Sequence, residues 1–469
     1  MGLVNTLILA RLLVPDDFGL IAIAVIITQL LQNVSDIGVS YTVVHYKEAE
    51  DKDYDALFTL SLIRGVIIFL ILTISAPLAA RIYDDPRLLT IFIAMGAIAL
   101  VQALINPKFY EFQRKLDFSK EFLVNISDKI FSVIVSVSIA ILYQNYWAII
   151  FGIAAGALAK LFISYALRPY LPKIGLKAVD GLFKFTGWLT GLSILAAFNN
   201  KLDVLILGKV LPADETGNYF IGYQLADLPS SELAAPIARA LFPGLSALKE
   251  EPTKMRETLL RVAECVASIV MPACIGLAFI ADDFVQLVLG DNWAYVPALI
   301  QWATPFAAIT CVYSGVHSYA IAKGAAKLLF FRELFFFFFR TPIFVGAALI
   351  YGLQGAIIAG GSMLLVNATL FSLVFGYLSK ESPLLPLWRA RRSIASLTGI
   401  VLYFMVIRPL FPVLETFPIM VRIALDILIS ASMYTTFHIS LWHLVGKPEG
   451  VEQMVFSSVP FLKKFSNPV

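Results

Sequence analysis

Apolar windows about as long as a bilayer is thick follow one another from the first residues to about Phe437, and no other feature constrains the chain as strongly. A helix needs about 20 mostly apolar residues to cross hydrocarbon. The windows and the polar breaks between them predict helices over 2–14, 18–44, 56–80, 88–111, 121–143, 147–168, 184–208, 216–242, 257–280, 293–320, 327–350, 355–378, 393–412 and 418–443. Many contain Gly, Pro, Ser and Asn, which bundled helices tolerate because neighbouring helices and local water re-satisfy the backbone. Only 15% of the 469 residues are charged, against about 25% in a soluble domain. No stretch between windows reaches the roughly 50 residues of an independent domain, which argues against a fused catalytic unit. The expectation is an all-α polytopic membrane protein of about 14 transmembrane helices.

The breaks alternate in character. One set is basic: Arg114, Lys115 and Lys120; Arg168, Lys173, Lys177 and Lys184; Lys249, Lys254 and Arg256; Lys323, Lys327 and Arg332; Lys380, Arg389, Arg391 and Arg392; and Lys447, Lys463 and Lys464 near the end. The other set, which includes Asp16-Asp17, Tyr83-Asp84-Asp85-Pro86, Tyr143-Gln144-Asn145, Asp214-Glu215, Asp282-Asp283 and Tyr351-Gly352-Leu353-Gln354, is acidic or neutral. Lys and Arg of short loops stay on the cytoplasmic side, so the basic breaks and both termini are expected there. A net charge of +3, spread along the chain, does not suggest nucleic-acid binding. Cys265, Cys274 and Cys311 lie inside apolar windows and read as small hydrophobes. The four histidines are scattered without metal-ligand spacing and no phosphate-binding GxxxxGK[ST] occurs, so neither a metal site, nor a cofactor, nor ATP hydrolysis is expected.

The chain also matches itself. Arg11-Leu12-Leu13-Val14-Pro15-Asp16-Asp17-Phe18-Gly19 aligns with Lys209-Val210-Leu211-Pro212-Ala213-Asp214-Glu215-Thr216-Gly217, and Tyr143-Gln144-Asn145-Tyr146-Trp147-Ala148-Ile149-Ile150-Phe151-Gly152 aligns with Tyr351-Gly352-Leu353-Gln354-Gly355-Ala356-Ile357-Ile358-Ala359-Gly360. Six spans separate the copies. Since six is even, both halves enter the membrane from the same side, as parallel repeats do. The expected organisation is a six-helix lobe over 1–170, a second over 171–380, and two additional helices with a tail over 381–469.

Several motifs, in order, resemble the polysaccharide transporter family of the MOP flippase superfamily, the group containing Wzx-type exporters of O-antigen and exopolysaccharide. They are Ala10-Arg11-Leu12-Leu13-Val14-Pro15-Asp16-Asp17-Phe18-Gly19, Phe112-Gln113-Arg114-Lys115-Leu116-Asp117-Phe118, Tyr146-Trp147-Ala148, Asn200-Lys201-Leu202-Asp203-Val204-Leu205-Ile206-Leu207-Gly208, Leu241-Phe242-Pro243-Gly244-Leu245-Ser246 and Leu289-Gly290-Asp291-Asn292-Trp293. The resemblance implies a non-enzymatic flippase of the bacterial inner membrane. Its implied substrate is an oligosaccharide repeat unit on undecaprenyl pyrophosphate, and polysaccharide polymerase and co-polymerase proteins are its implied partners besides membrane lipid. Family members have more chain before the first motif, whereas only Met1 to Leu9 precede Ala10, so the first span is expected to be too short to cross. Two other readings stand beside this one. A cation-coupled drug or metabolite antiporter of the same superfamily would have a compact cavity, and a membrane glycan polymerase would need a long outward loop.

A sugar-pyrophosphate head drawn bare through hydrocarbon strands hydroxyls at several kcal/mol each. It needs a wet cavity with cations matched to phosphate. Ionisable side chains inside spans are site candidates by default. The substrate candidates are Arg64, Arg340, Lys129, Lys160 and Lys201, with the amides Asn33, Asn199, Asn200 and Gln224 for sugar hydroxyls; Asp227, Asp203 and Asp36 are the ion-coupling candidates. Interhelical pairing and snorkelling are the structural alternatives for all of them.

Overall fold

The computed structural model describes residues 2–35, 50–114, 118–175 and 187–447. Among these residues the regular structure is helical throughout, and they fall into two compact units, Met1–Phe220 and Ile221–Val469. Ten described helices are long and apolar enough to cross a membrane, so the protein is a multi-pass membrane protein.

The first unit contains α1 (Leu3–Leu12), α2 (Pro15–Ser35), α3 (Asp51–Ile82), α4 (Arg87–Ala103), α5 (Phe118–Tyr143), α6 (Trp147–Leu167), α7 (Gly187–Val210) and the start of α8 (Ala213–Ala226), which ends in the second. Their ends follow from local chemistry. Pro15 opens α2 at a position where the missing N–H is no loss, with Asp16 and Asp17 in the first turn against the helix dipole. Glu50 and Asp53 form a capping box on α3. Between α5 and α6 Gln144 turns the chain with a φ of 46°, and its repeat partner Gly352 does the same with a φ of 60°. A residue with a side chain and a glycine thus both take a positive φ at matched positions.

The repeat is visible again where α2 and α8 begin. A Cβ on Gly19 would lie 1.8 Å from the carbonyl oxygen of Ala213, and one on Gly217 would lie 1.9 Å from that of Pro15. Gly19 aligns with Gly217 and Pro15 with Ala213, so the contact is reciprocal and made by main chain alone. Ion pairs flank it. Arg87 bridges Asp16 at 2.9 Å and Asp85 at 2.6 Å, and Lys209 meets Asp84 at 3.1 Å. All of this lies at the acidic-loop ends of the helices.

The second unit contains α9 (Ala235–Ala247), α10 (Pro252–Phe279), α11 (Val296–Cys311), α12 (Ala326–Ser379), α13 (Arg391–Leu402) and α14 (Ile419–Leu444). The element α12 is two passes, folded back at Gly352, which is the break expected between 350 and 355. The last two helices are fastened to α10 by the buried Arg392–Glu264 pair, by Arg389–Glu257 at 2.9 Å, and by the Tyr434 hydroxyl donating to the Ser268 carbonyl at 3.0 Å.

Several expectations differ: the helix over 88–111 ends at Ala103, and that over 293–320 is broken after Cys311. The helix over 216–242 is interrupted: α8 ends at Ala226, and a π-helical turn over Ser230–Ala234 precedes α9. Pro229 and Pro236 bring no N–H to the ladder, so the run cannot stay regular there. Arg332, placed by its charge in a basic break, is buried in the second turn of α12. Of the phenylalanine run, Phe335, Phe338 and Phe339 are exposed and Phe336 is buried, as on the lipid side of a packed helix.

Candidate functional site

Within the first unit, α3 and α4 pack side by side, α5 and α6 do the same, and α2 lies against α4. Polar side chains on their facing sides meet in a chamber. Its larger part, about 310 Å³, is lined by Ser61 and Arg64 of α3, Gln102 of α4, Asn106, Asp128 of α5 and Lys160 of α6. A smaller part of about 190 Å³ adjoins it, lined by Gln29 and Gln32 of α2, Lys129 and Ser132 of α5, and again Gln102 and Asp128. Arg64 is the fourteenth residue of α3, roughly 20 Å along the helix from Asp51. Its Cα therefore lies inside the apolar run of α3. The chamber runs from there towards the basic-loop ends.

Each polar group is held by its neighbours. The ammonium of Lys160 donates to Asn125 Oδ1 at 3.2 Å and stands 5.3 Å from the Phe109 ring centre. Lys129 pairs with Asp128 at 2.9 Å, and the Gln32 amide donates to Gln102 Oε1 at 2.9 Å. Gly156 leaves room for Asp128: a Cβ there would lie 2.4 Å from Asp128 Oδ1. Asn106, fully buried, donates to the carbonyls of Ser164 at 3.2 Å and Arg168 at 2.6 Å, which ties the end of α6 to the chamber wall.

Beyond α6 the chain is strapped back onto the start of α3. Tyr170 donates to Asp55 at 2.6 Å, Lys173 N donates to the same oxygen at 2.8 Å, and Gly175 N donates to Thr59 Oγ1 at 3.0 Å. Burial and the Asp55 carboxylate together raise the Tyr170 phenol above its ordinary pKa. At the opposite end, burial alone would raise the Asp85 carboxyl, but the hydrogen bonds from Arg87 outweigh it and hold the group below the usual carboxylate range.

Of the expected site residues, Arg64 and Lys160 thus line the larger part of the chamber and Lys129 the smaller. Asn33 is exposed at the end of α2, and Asp36 lies outside the described residues. Asn199 is buried, Asn200 exposed and Lys201 half-buried on α7; Asp203 is buried beside them and accepts the Tyr219 hydroxyl at 3.1 Å. None of these four lines the chamber. Gln224 is half-buried, while Asp227, expected in mid-span, is exposed at the break after α8. Arg340 belongs to the second unit, where it is buried with its guanidinium 5.6 Å from the Phe336 ring centre.

Gln29, Gln32, Ser61, Gln102 and Asn106 were not among the candidates. A signal for most of them exists: Gln29 and Gln32, Ser61 and Arg64, and Asn125 and Asp128 are polar pairs three apart in apolar helices, which places each pair on one face, whereas Asn106 lies past the end of α4. Also missed was a buried cluster in the second unit, where Arg332 pairs with Glu333, bonds Asn367 and lies 3.8 Å from the Phe371 ring centre.

Residues 8–298 match a family described as "Polysaccharide biosynthesis protein". The lipopolysaccharide biosynthesis protein WzxC of Escherichia coli is 25% identical over 395 residues, covering 82% of this chain and 78% of that protein. The teichuronic acid biosynthesis protein TuaB of Bacillus subtilis is 22% identical over 345 residues, covering 72% and 69%. Among solved structures, the lipid II flippase MurJ in an inward closed conformation superposes with a TM-score of 0.73 at 13% identity, covering 94% of this chain and 97% of that one, which shows a shared fold.

Proposed function

Since the chain belongs to the polysaccharide biosynthesis protein family, as a Wzx-type polysaccharide transporter of the MOP superfamily, we propose that it flips undecaprenyl-pyrophosphate-linked oligosaccharide repeat units across the bacterial inner membrane for surface polysaccharide synthesis. The chamber carries this reading. It sets a guanidinium and an ammonium, Arg64 and Lys160, at membrane depth among amides and hydroxyls. A pyrophosphate needs such cations, and a sugar needs such hydrogen-bonding groups, to leave water without stranding either. The polyprenyl tail stays in lipid. The lobes over 1–170 and 171–380 alternate access to the two leaflets, with 381–469 as an addition, and the basic loops and both termini face the cytoplasm. The acids assigned to ion coupling are Asp203 and Asp227, Arg340 is the second lobe's cation, and a polymerase and co-polymerase receive the product. No catalytic step is assigned to the chain.

The test is complementation of a flippase-null strain. Arg64→Gln and Lys160→Gln, present in the membrane at wild-type level, are expected to reduce surface polymer by about tenfold or more, as losing a charge-assisted hydrogen bond of about 1.5–3 kcal/mol implies. Wild-type polymer from both variants would refute the role of the chamber.

A further inference from the structure

The two parts of the chamber differ in chemistry. Around Arg64 and Lys160 the larger part is cationic. The smaller part presents amides and a hydroxyl: Gln29 and Gln32, one turn apart on α2, face it with Gln102 and Ser132. Its charged groups, Asp128 and Lys129, pair with each other at 2.9 Å. Gln32 is engaged with Gln102, whereas the side chains of Gln29 and Ser132 have no hydrogen-bonding partner among the described residues. A polar group at membrane depth is unfavourable without a partner, so these call for water or a ligand. An amide both donates and accepts, as does each sugar hydroxyl, and a carboxylate accepts from hydroxyls but repels another carboxylate. Gln102 and Asp128 line both parts, so the two lie side by side.

We infer that the smaller part is a saccharide subsite. It seats the sugar attached directly to the pyrophosphate and selects a neutral, hydroxyl-rich ring, with Gln29, Gln32 and Gln102 as the specificity-determining side chains. The inference rests on the proposed function, because a pyrophosphate held by Arg64 and Lys160 is what brings the first ring next door. Lys129 is already matched by Asp128, so the smaller part offers an acidic sugar no free cation.

The test measures binding to the full-length protein in nanodiscs with three probes: undecaprenyl pyrophosphate alone, the same carrier bearing one N-acetylhexosamine, and the carrier bearing one uronic acid. The wild type is expected to bind the N-acetylhexosamine carrier about tenfold or more tightly than the bare one, as two or three hydrogen bonds of about 0.5–1.5 kcal/mol imply, and to show no such preference for the uronic acid. In Gln29→Leu/Gln32→Leu the ratio of neutral-sugar to bare carrier is expected to fall to about one. A ratio that stays at the wild-type value, or a wild-type preference for the uronic acid, overturns the inference. If the leucine variant binds no probe, Gln29→Asn/Gln32→Asn, which keeps the amides but shortens their reach, takes its place: a lowered ratio supports the subsite and an unchanged one overturns it. A wild type that binds none of the three overturns the transport reading beneath it.

Discussion

Arg332 and Glu333 are neighbours in sequence, and both are buried, the guanidinium bonding the carboxylate and Asn367. Removing one partner of a buried pair leaves an uncompensated charge at about 3–5 kcal/mol, while replacing both by apolar groups is often neutral. Arg332→Met is expected to lower the thermal unfolding midpoint in detergent markedly, and Arg332→Met/Glu333→Leu to restore most of it; equal losses would show that the pairing is not what matters. Asp85, outside the spans, has a depressed carboxyl pKa because the Arg87 hydrogen bonds outweigh its burial. Such a group stabilises the fold above its unfolded value of about 3.9 and loses that contribution as pH falls through the folded value. Acid titration followed by tryptophan fluorescence is expected to show a shallower loss below about pH 4 in Asp85→Asn than in the wild type. At this scale the sequence exposes charges better than amides. Arg64 announces itself by sitting in an apolar window, whereas Gln29 and Gln32 show only by their spacing, and the depth of Arg332 was hidden by the basic residues before it.

Helix ends were legible wherever a turn residue forced them. Asp16-Asp17 after Pro15, and Gly352 between two apolar runs, mark ends that the structure repeats, but the interruption after α8 needed the combined effect of Pro229 and Pro236. The paired turns give a test. Left-handed backbone is unfavourable by about 1–2 kcal/mol for a residue with a side chain. Gly352, with φ 60° and ψ −144°, lies in a region essentially reserved for glycine, and nothing lies within 4 Å of a Cβ built there, so Gly352→Ala is expected to destabilise through the backbone alone, by about 1–3 kcal/mol. Gln144→Gly is expected to stabilise by less, roughly 0.5–1 kcal/mol, because glycine also loosens the unfolded chain. Denaturation midpoints of both variants decide it, and opposite signs for the pair are the expected result. Where α2 and α8 begin, space is the issue instead. Gly217→Ala would press a methyl to 1.9 Å from the Pro15 carbonyl, so the two helix starts must part. Thiol labelling of a Ser61→Cys reporter from the acidic-loop side is expected to rise in this variant.

Over the whole molecule, composition and periodicity sufficed for an all-helical membrane protein with an internal repeat, because hydrocarbon admits few alternatives. The site was less legible, since a chamber is made by faces of several helices and no single window contains it. Arg64, Gln102, Asp128 and Lys160 come from four of them. Topology can be checked directly: alkaline phosphatase fused after Val469 is expected to be inactive and a fluorescent protein there to glow, as a cytoplasmic end requires. The reciprocal meeting of Gly19 and Gly217 has a consequence for how such a molecule would work. Main chain touching main chain leaves no side-chain layer to compress, so this junction would open as a clasp does, by parting outright. A transporter shut by a clasp of that kind would keep protons from leaking past while its cargo is still boarding at the far end.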